Sequence, residues 1–478
     1  MRLYLELGMR SKKLALILIV SLAYLVLANA LAVSALNPVF TAALAGALEE
    51  AGEAKVIKLR GFAIGPGPMP VTRATNLEDA AALLNKILED MGVDLRIEIE
   101  VEFSELKWGP FAEKFFAEYR AGKAPDIVIG LRDIPTLAEE GVILPLDEHV
   151  ATFWNLTYFD IYPSLWKSVM WKGRIWGIPQ DATPGCIWYR KDILRKLGYS
   201  DEEIANMLPP DAKGITLDTI VRLAREAKEA GLVEYGIVHR PSPGDTIQIY
   251  MIIFGGEVYD EETGKLVLDK SAALKMFQWF RDMVEEGLIP KEPPSWGTIH
   301  SMFVEGRVFA TFASHVGTPS EWMAKYGLTD EAFKRDLGFL AFPPAVPEGR
   351  AVTTLGPLPY LIISQTKYPK IAELIVLLAV SPEAVAKHSM QTLRPVTRRS
   401  LAYYPALQKW PYSYTIETAR MLEVAEPPIV HPGWGKYKST VYEHIKGVEA
   451  GILSPEAAVE ELVKVLKAEL GDQVIIRD

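Results

Sequence analysis

Hydrophobic and polar positions alternate almost without a break along residues 95–103 (LRIEIEVEF), and a similar alternation covers 55–62 (KVIKLRGF). Period two is the pattern of a strand with one covered face, so both segments are predicted strands. Between them Ala80, Leu83, Leu84, Ile87, Leu88 and Met91 recur at helical spacing and predict a helix over 77–91, while 63–71 (AIGPGPMPV) is excluded from helix by its prolines. A helix over 108–121 ends at Ala121-Gly122. A short apolar run at 124–130 (APDIVIG) predicts a buried strand, followed by a helix over 134–140. Strands alternating with helices predict a parallel sheet covered on both faces.

The punctuation then changes. A strand at 174–178 runs into Pro179-Gln180-Asp181-Ala182-Thr183-Pro184-Gly185, a second strand follows at 186–189, and a charged helix at 191–197 is closed by Gly198. Proline and glycine at both ends of the break mark a chain leaving one packed unit for another. Helices are predicted over 216–230, 247–254, 271–286, 370–380, 438–450 and 455–470. Strands are predicted at 235–239, 337–342 and 355–364, with a helix, turn and strand over 301–312.

Gly173, Trp176-Gly177-Ile178-Pro179, then Tyr189-Arg190-Lys191-Asp192, Leu194, Lys196 and Gly198 resemble the hinge crossing of extracellular solute-binding proteins of ABC importers, the maltose-binding-like group. The runs at 124–128 (APDIV) and 141–147 (GVILPLD), the 301–312 element and Arg394-Pro395-Val396 resemble the same family, over about residues 55–470. The resemblance implies an α/β fold of the periplasmic-binding-protein kind: two discontinuous lobes, a three-crossing hinge and a ligand cleft between them. The expected N-terminal lobe is 54–181 with 356–402, and the expected C-terminal lobe 182–355 with 403–478. The implied function is the substrate-binding component of an ABC importer that closes on a small solute, a carbohydrate or polyol being favoured over polyamine, peptide, phosphate ester or metal ion. The implied partners are that solute and the membrane permease subunits.

With 478 residues the chain is too long for one core, and 49% hydrophobic and 23% charged residues are ordinary for a globular protein. A net charge of −10 argues against nucleic acid, and a monomer is expected. The single cysteine, Cys186, excludes an internal disulfide framework and reads as a buried inert thiol. Scarce Asn and Gln beside plentiful Glu, Lys, Arg and Pro lean towards a thermophilic source. Arg10, Lys12 and Lys13 precede an uncharged stretch at 14–36. This reads as an export signal, cleaved near the small residues at 28–35 or retained as an anchor, with an Ala-rich tether over 37–53 behind it. Either way the folded part is expected outside the cytoplasm.

No nucleophile elbow, phosphate-binding loop, dinucleotide fingerprint or zinc-binding helix motif is present, and the seven histidines show no metal spacing. Neither a cofactor nor a metal nor an enzymatic activity is expected. A ligand sensor for a membrane signalling partner and an extracellular carbohydrate-active enzyme are the rival readings. In parallel sheets ligands sit beyond the C-terminal strand ends. This rule selects Phe62, Arg132, Asp133, Asp181, Thr183, His239, Arg240, Ser314, His315 and Gly356. Carrying the family pattern over by position adds Asp245, Gln248 and Trp434, the last as an aromatic that stacks on a sugar ring.

Overall fold

The computed structural model describes residues 37–65 and 71–478. The expectations for the leader at 1–36 and for the middle of the 63–71 loop lie outside the described residues. Two sheets organise the rest. The first contains β1 (Val56–Ile64), β2 (Arg96–Ser104), β3 (Ile127–Ile129), β4 (Ile178–Ala182) and, much later in the chain, β9 (Pro357–Ile362), in the order β2-β1-β3-β9-β4. The second holds β5 (Gly185–Arg190), β6 (Tyr235–Val238), β7 (Val308–His315) and β8 (Leu337–Leu340), in the order β8-β5-β7-β6. β1, β2 and β3 are parallel, as the strand–helix alternation requires. β9 runs antiparallel to both β3 and β4, so the first sheet is mixed where the chain returns to it.

Each sheet has its own core. Ile57, Leu59, Ile129, Ile178, Tyr360 and Ile375 are buried in the first, and Trp188, Ile237, Phe277, Phe309, Phe312 and Leu340 in the second. Two segments differ from the sequence reading. The helix Pro38–Ala51 is no free tether: Leu44, Ala47 and Ala51 enter the first core against the helix Pro369–Ala379, and Glu50 accepts the Lys370 and Ile371 amides at that helix's start. The stretch after Tyr403, read as wholly C-terminal lobe, is shared. Leu407, Ala419, Leu422 and Ala425 pack in the first core, while Tyr414, Met421 and the helices Trp434–Glu449 and Pro455–Leu470 pack in the second. Its short 3-10 turns give no periodicity from which such a division can be read.

Where β4 passes into β5, the Thr183 amide donates to the carbonyls of Leu355 and Gly356 at 3.3 and 3.1 Å, and Gly185 N–H donates to the Thr354 hydroxyl at 3.0 Å. The outgoing and returning strands therefore cross side by side. Gly356 has φ +55°, and a Cβ there would stand 2.5 Å from the Thr183 carbonyl oxygen. Gly356→Ala should consequently cost about 1–3 kcal/mol, from left-handed backbone plus a clash with main chain that has little room to yield. Urea unfolding measures this; an alanine variant of native stability would mean that the two crossing strands part freely.

Candidate functional site

Each lobe carries one tryptophan–arginine stack. β3 ends just before Arg132, whose guanidinium lies 3.9 Å from the centre of the Trp108 ring, at the start of the helix Trp108–Arg120. In the other lobe β6 delivers Arg240, which lies 4.9 Å over Trp296. Arg240 also folds across Gly244, where a Cβ would meet its Nε at 2.5 Å, so only glycine leaves that bed open. Such stacks hold a cation in place while leaving its in-plane N–H groups free to donate. β7 ends at Ser314, whose buried hydroxyl has no hydrogen-bond partner among the described residues, and at His315.

Arg132 is exposed, yet it is hemmed by protein: desolvation, together with the charge of Arg73, brings its pKa down to about 10 against the opposing pull of Asp181 and Asp245. Water reaches the side chain while the surrounding walls weaken its solvation, the situation of a group in a cleft. His315 is likewise open at its surface and pushed down to about 4, by desolvation first and by the nearby charges of Arg240 and Arg132. It is therefore neutral at neutral pH. Its Nδ1 accepts the Gly317 amide at 3.1 Å, which leaves the proton on Nε2 as a donor. Asp245, just before the helix Thr246–Ile253, accepts from Trp434 Nε1 at 3.2 Å and Lys438 Nζ at 2.7 Å.

Arg132, Arg240, Asp245, Ser314 and His315 thus belong to one region. Other residues selected from the sequence have different surroundings. Phe62 is buried and stacked on Phe111 at 4.2 Å, because β1 turns this face into the core. Asp133 caps the helix Ile134–Glu139 through the Thr136 amide at 3.2 Å. Asp181 lies in a buried ion-pair cluster with Arg73, Arg394 and His388. His239 is buried against Glu449 at 2.6 Å, inside the second lobe. Gln248 is buried and donates to the Pro427 carbonyl at 3.2 Å. Thr183 and Gly356 are engaged at the crossing, and Trp434 is 5% exposed, within the second core.

Sequence reasoning missed Trp108 and Trp296. Trp108 stands shortly after the C-terminal end of β2, so the strand-end rule could have found it; Trp296 opens a helix and carries no such signal. A separate hollow of 580 Å³ lies under the helix Pro38–Ala51, where His149 already has partners in Tyr158 and Glu373. Among the described residues no cluster of three or more His, Cys, Asp or Glu suits a metal ion, and no helix is long and apolar enough to cross a membrane.

The profile of a family described as bacterial extracellular solute-binding protein matches residues 75–386. A binding protein of Brucella abortus is 23% identical over 216 residues, covering 44% of this chain and 49% of its own length. The chain thus spans about half the length of the curated relatives it matches. The sugar-binding protein MalE from Xanthomonas citri superposes with a TM-score of 0.67 at 18% identity, over 87% of this chain and 98% of that one. The cyclic α-maltosyl-1,6-maltose-binding protein from Arthrobacter globiformis gives 0.66 at 17% identity, over 87% and 99%. At these identities the likeness is one of fold: two α/β lobes of the periplasmic-binding-protein kind.

Proposed function

The chain belongs to the bacterial extracellular solute-binding protein family, and on that premise we propose that it is the extracytoplasmic substrate-binding component of an ABC importer, taking a carbohydrate or polyol between its lobes. The observation that carries this reading is the pair of stacks, Trp108 with Arg132 and Trp296 with Arg240, one from each lobe. The tryptophan rings, already stacked on the arginines, hold the guanidinium groups in place, and their N–H groups and the His315 imidazole donate to the hydroxyls of a sugar. Solved proteins of the same fold that bind maltose derivatives support the choice of ligand class. The ligand favours the closed arrangement because it contacts both lobes only there, and the permease recognises that arrangement. The lobes divide near residues 182 and 356, and the leader at 1–36 exports the protein and, if retained, tethers it to the membrane.

Maltotetraose, smaller sugars and polyols should therefore include a compound that raises the melting temperature and reduces the radius of gyration in solution scattering. Trp296→Ala should weaken binding of that compound about tenfold with little change in unfolding. If no sugar or polyol produces either response, the carbohydrate reading fails.

A further inference from the structure

Of the twenty arginines among the described residues, seventeen have a carboxylate within 4.0 Å. The exceptions are Arg120, Arg132 and Arg240. Arg120 is exposed in the last turn of its helix, where the helix dipole and water both suit a cation. The other two are the cleft arginines. Among the described residues neither finds an acceptor for a side-chain hydrogen bond, and the Nε of Arg240 is buried without a partner there. In a chain of net charge −10, which pairs its arginines almost everywhere else, these two lie in opposite lobes without a carboxylate at ion-pair distance, and the charges of both reach His315.

Asp181 and Asp245 attract Arg132, and Asp245 attracts Arg240, but only from beyond ion-pair distance. Asp245 is taken up by Lys438 and Trp434, His315 is neutral at neutral pH, and Asp133, next to Arg132 in sequence, turns its carboxylate to the Thr136 amide. Closure over a ligand removes water from both guanidinium groups, and such desolvation is unfavourable unless a counter-charge offsets it. Neutral hydroxyls accept hydrogen bonds but supply no charge. An anionic group with paired oxygens, a carboxylate or a phosphate, satisfies both the charge and the forked donor geometry.

We propose that the cleft takes a saccharide bearing an anionic group, a carboxylate or a phosphate ester, held between Arg132 of one lobe and Arg240 of the other. This inference rests on the carbohydrate reading above and narrows it. Calorimetric titration of the purified protein should compare digalacturonate with its neutral methyl ester, glucuronate and glucose 6-phosphate with glucose, and include maltotetraose. At least one anionic probe should bind about tenfold or more tightly than its neutral counterpart, the fold expected for a charge-assisted hydrogen bond. The uronate and phosphate arms decide which anion it is. Arg132→Gln and Arg240→Gln should each weaken that probe by about 10- to 100-fold, with unchanged melting of the unliganded protein, and affect its neutral counterpart far less. Arg132→Lys, which keeps the charge without the fork, should fall between. If neutral saccharides bind as tightly as charged ones, or the Gln variants weaken both alike, the anionic inference is overturned and the carbohydrate reading stands. If neither kind of saccharide binds, both are overturned.

Discussion

Asp181→Ala should lower stability by roughly 3–5 kcal/mol, the cost of removing one partner from a buried ion pair. The melting temperature should then drop by about 6–20 °C for lobes of this size. Asp181 is 1% exposed in β4, two residues before the crossing at Thr183. Its Oδ2 accepts from Arg73 Nη2 at 2.6 Å and Nε at 3.0 Å and from Arg394 Nη1, with His388 Nε2 at 3.3 Å. Arg73 is itself 1% exposed, and its guanidinium also donates to the Ile64 carbonyl at 2.6 Å. Without the carboxylate, its charge is buried and unanswered. The three partners come from the helix Thr72–Asp90 and from the helix Pro382–Thr392 with the turn after it, so the cluster ties two distant segments of the first lobe to the hinge strand.

The same carboxylate sets a pH dependence. Burial alone would raise its pKa, but His388 and Arg73 outweigh burial and hold it below the ordinary 3.8. A depressed carboxylate contributes stability that is complete above its unfolded pKa and is lost as pH falls through the folded one. The gap in unfolding free energy between the native protein and Asp181→Asn should thus stay constant above about pH 4 and narrow below it. An alanine variant within about 1 kcal/mol of native at neutral pH would show that the cluster holds nothing together.

The strand-end rule reads Asp181 as a ligand contact because a charged residue at a strand end is all a local pattern can show. What turns it inward is Arg73, 108 positions earlier, and Arg394, 213 positions later. The same separation hides the partners of His239 and Gln248. Local periodicity served the first lobe well: the alternation at 95–103 appears as Arg96–Ser104, and the apolar run at 124–130 contains Ile127–Ile129. It failed at the start of the helix Thr72–Asp90, expected from 77, because its first turns bury Thr72, Arg73 and Asn76. Polar residues that are buried through hydrogen bonds look like loop to any hydrophobic pattern. Arg132, Arg240 and His315 are in the opposite situation: they stand at or just past strand ends, so a local pattern suffices to place them whatever lies elsewhere in the chain.

Trp434→Ala should cost about 3–5 kcal/mol of stability, the range for emptying a core position of a large aromatic. Position in the family pattern assigns Trp434 to sugar stacking, but the ring is 5% exposed in the second core, 5.3 Å from Tyr437, and its face carries Lys438 Nζ at 5.3 Å. A face already covered by a cation and a tyrosine has no room for a sugar ring. Its Nε1–H reaches Asp245 instead, so Trp434 supports the cleft from behind. Trp434→Phe keeps most of the buried area and loses that bond, and should cost about 0.5–1.5 kcal/mol. The contrast with Trp296 makes the assignment testable. Measured at a temperature where every variant is folded, Trp434→Ala should leave solute affinity near native while its unfolding midpoint falls, and Trp296→Ala should do the reverse. Should Trp434→Ala instead abolish binding at an unchanged midpoint, the stacking surface of the site is Trp434 and the Trp296 assignment is wrong.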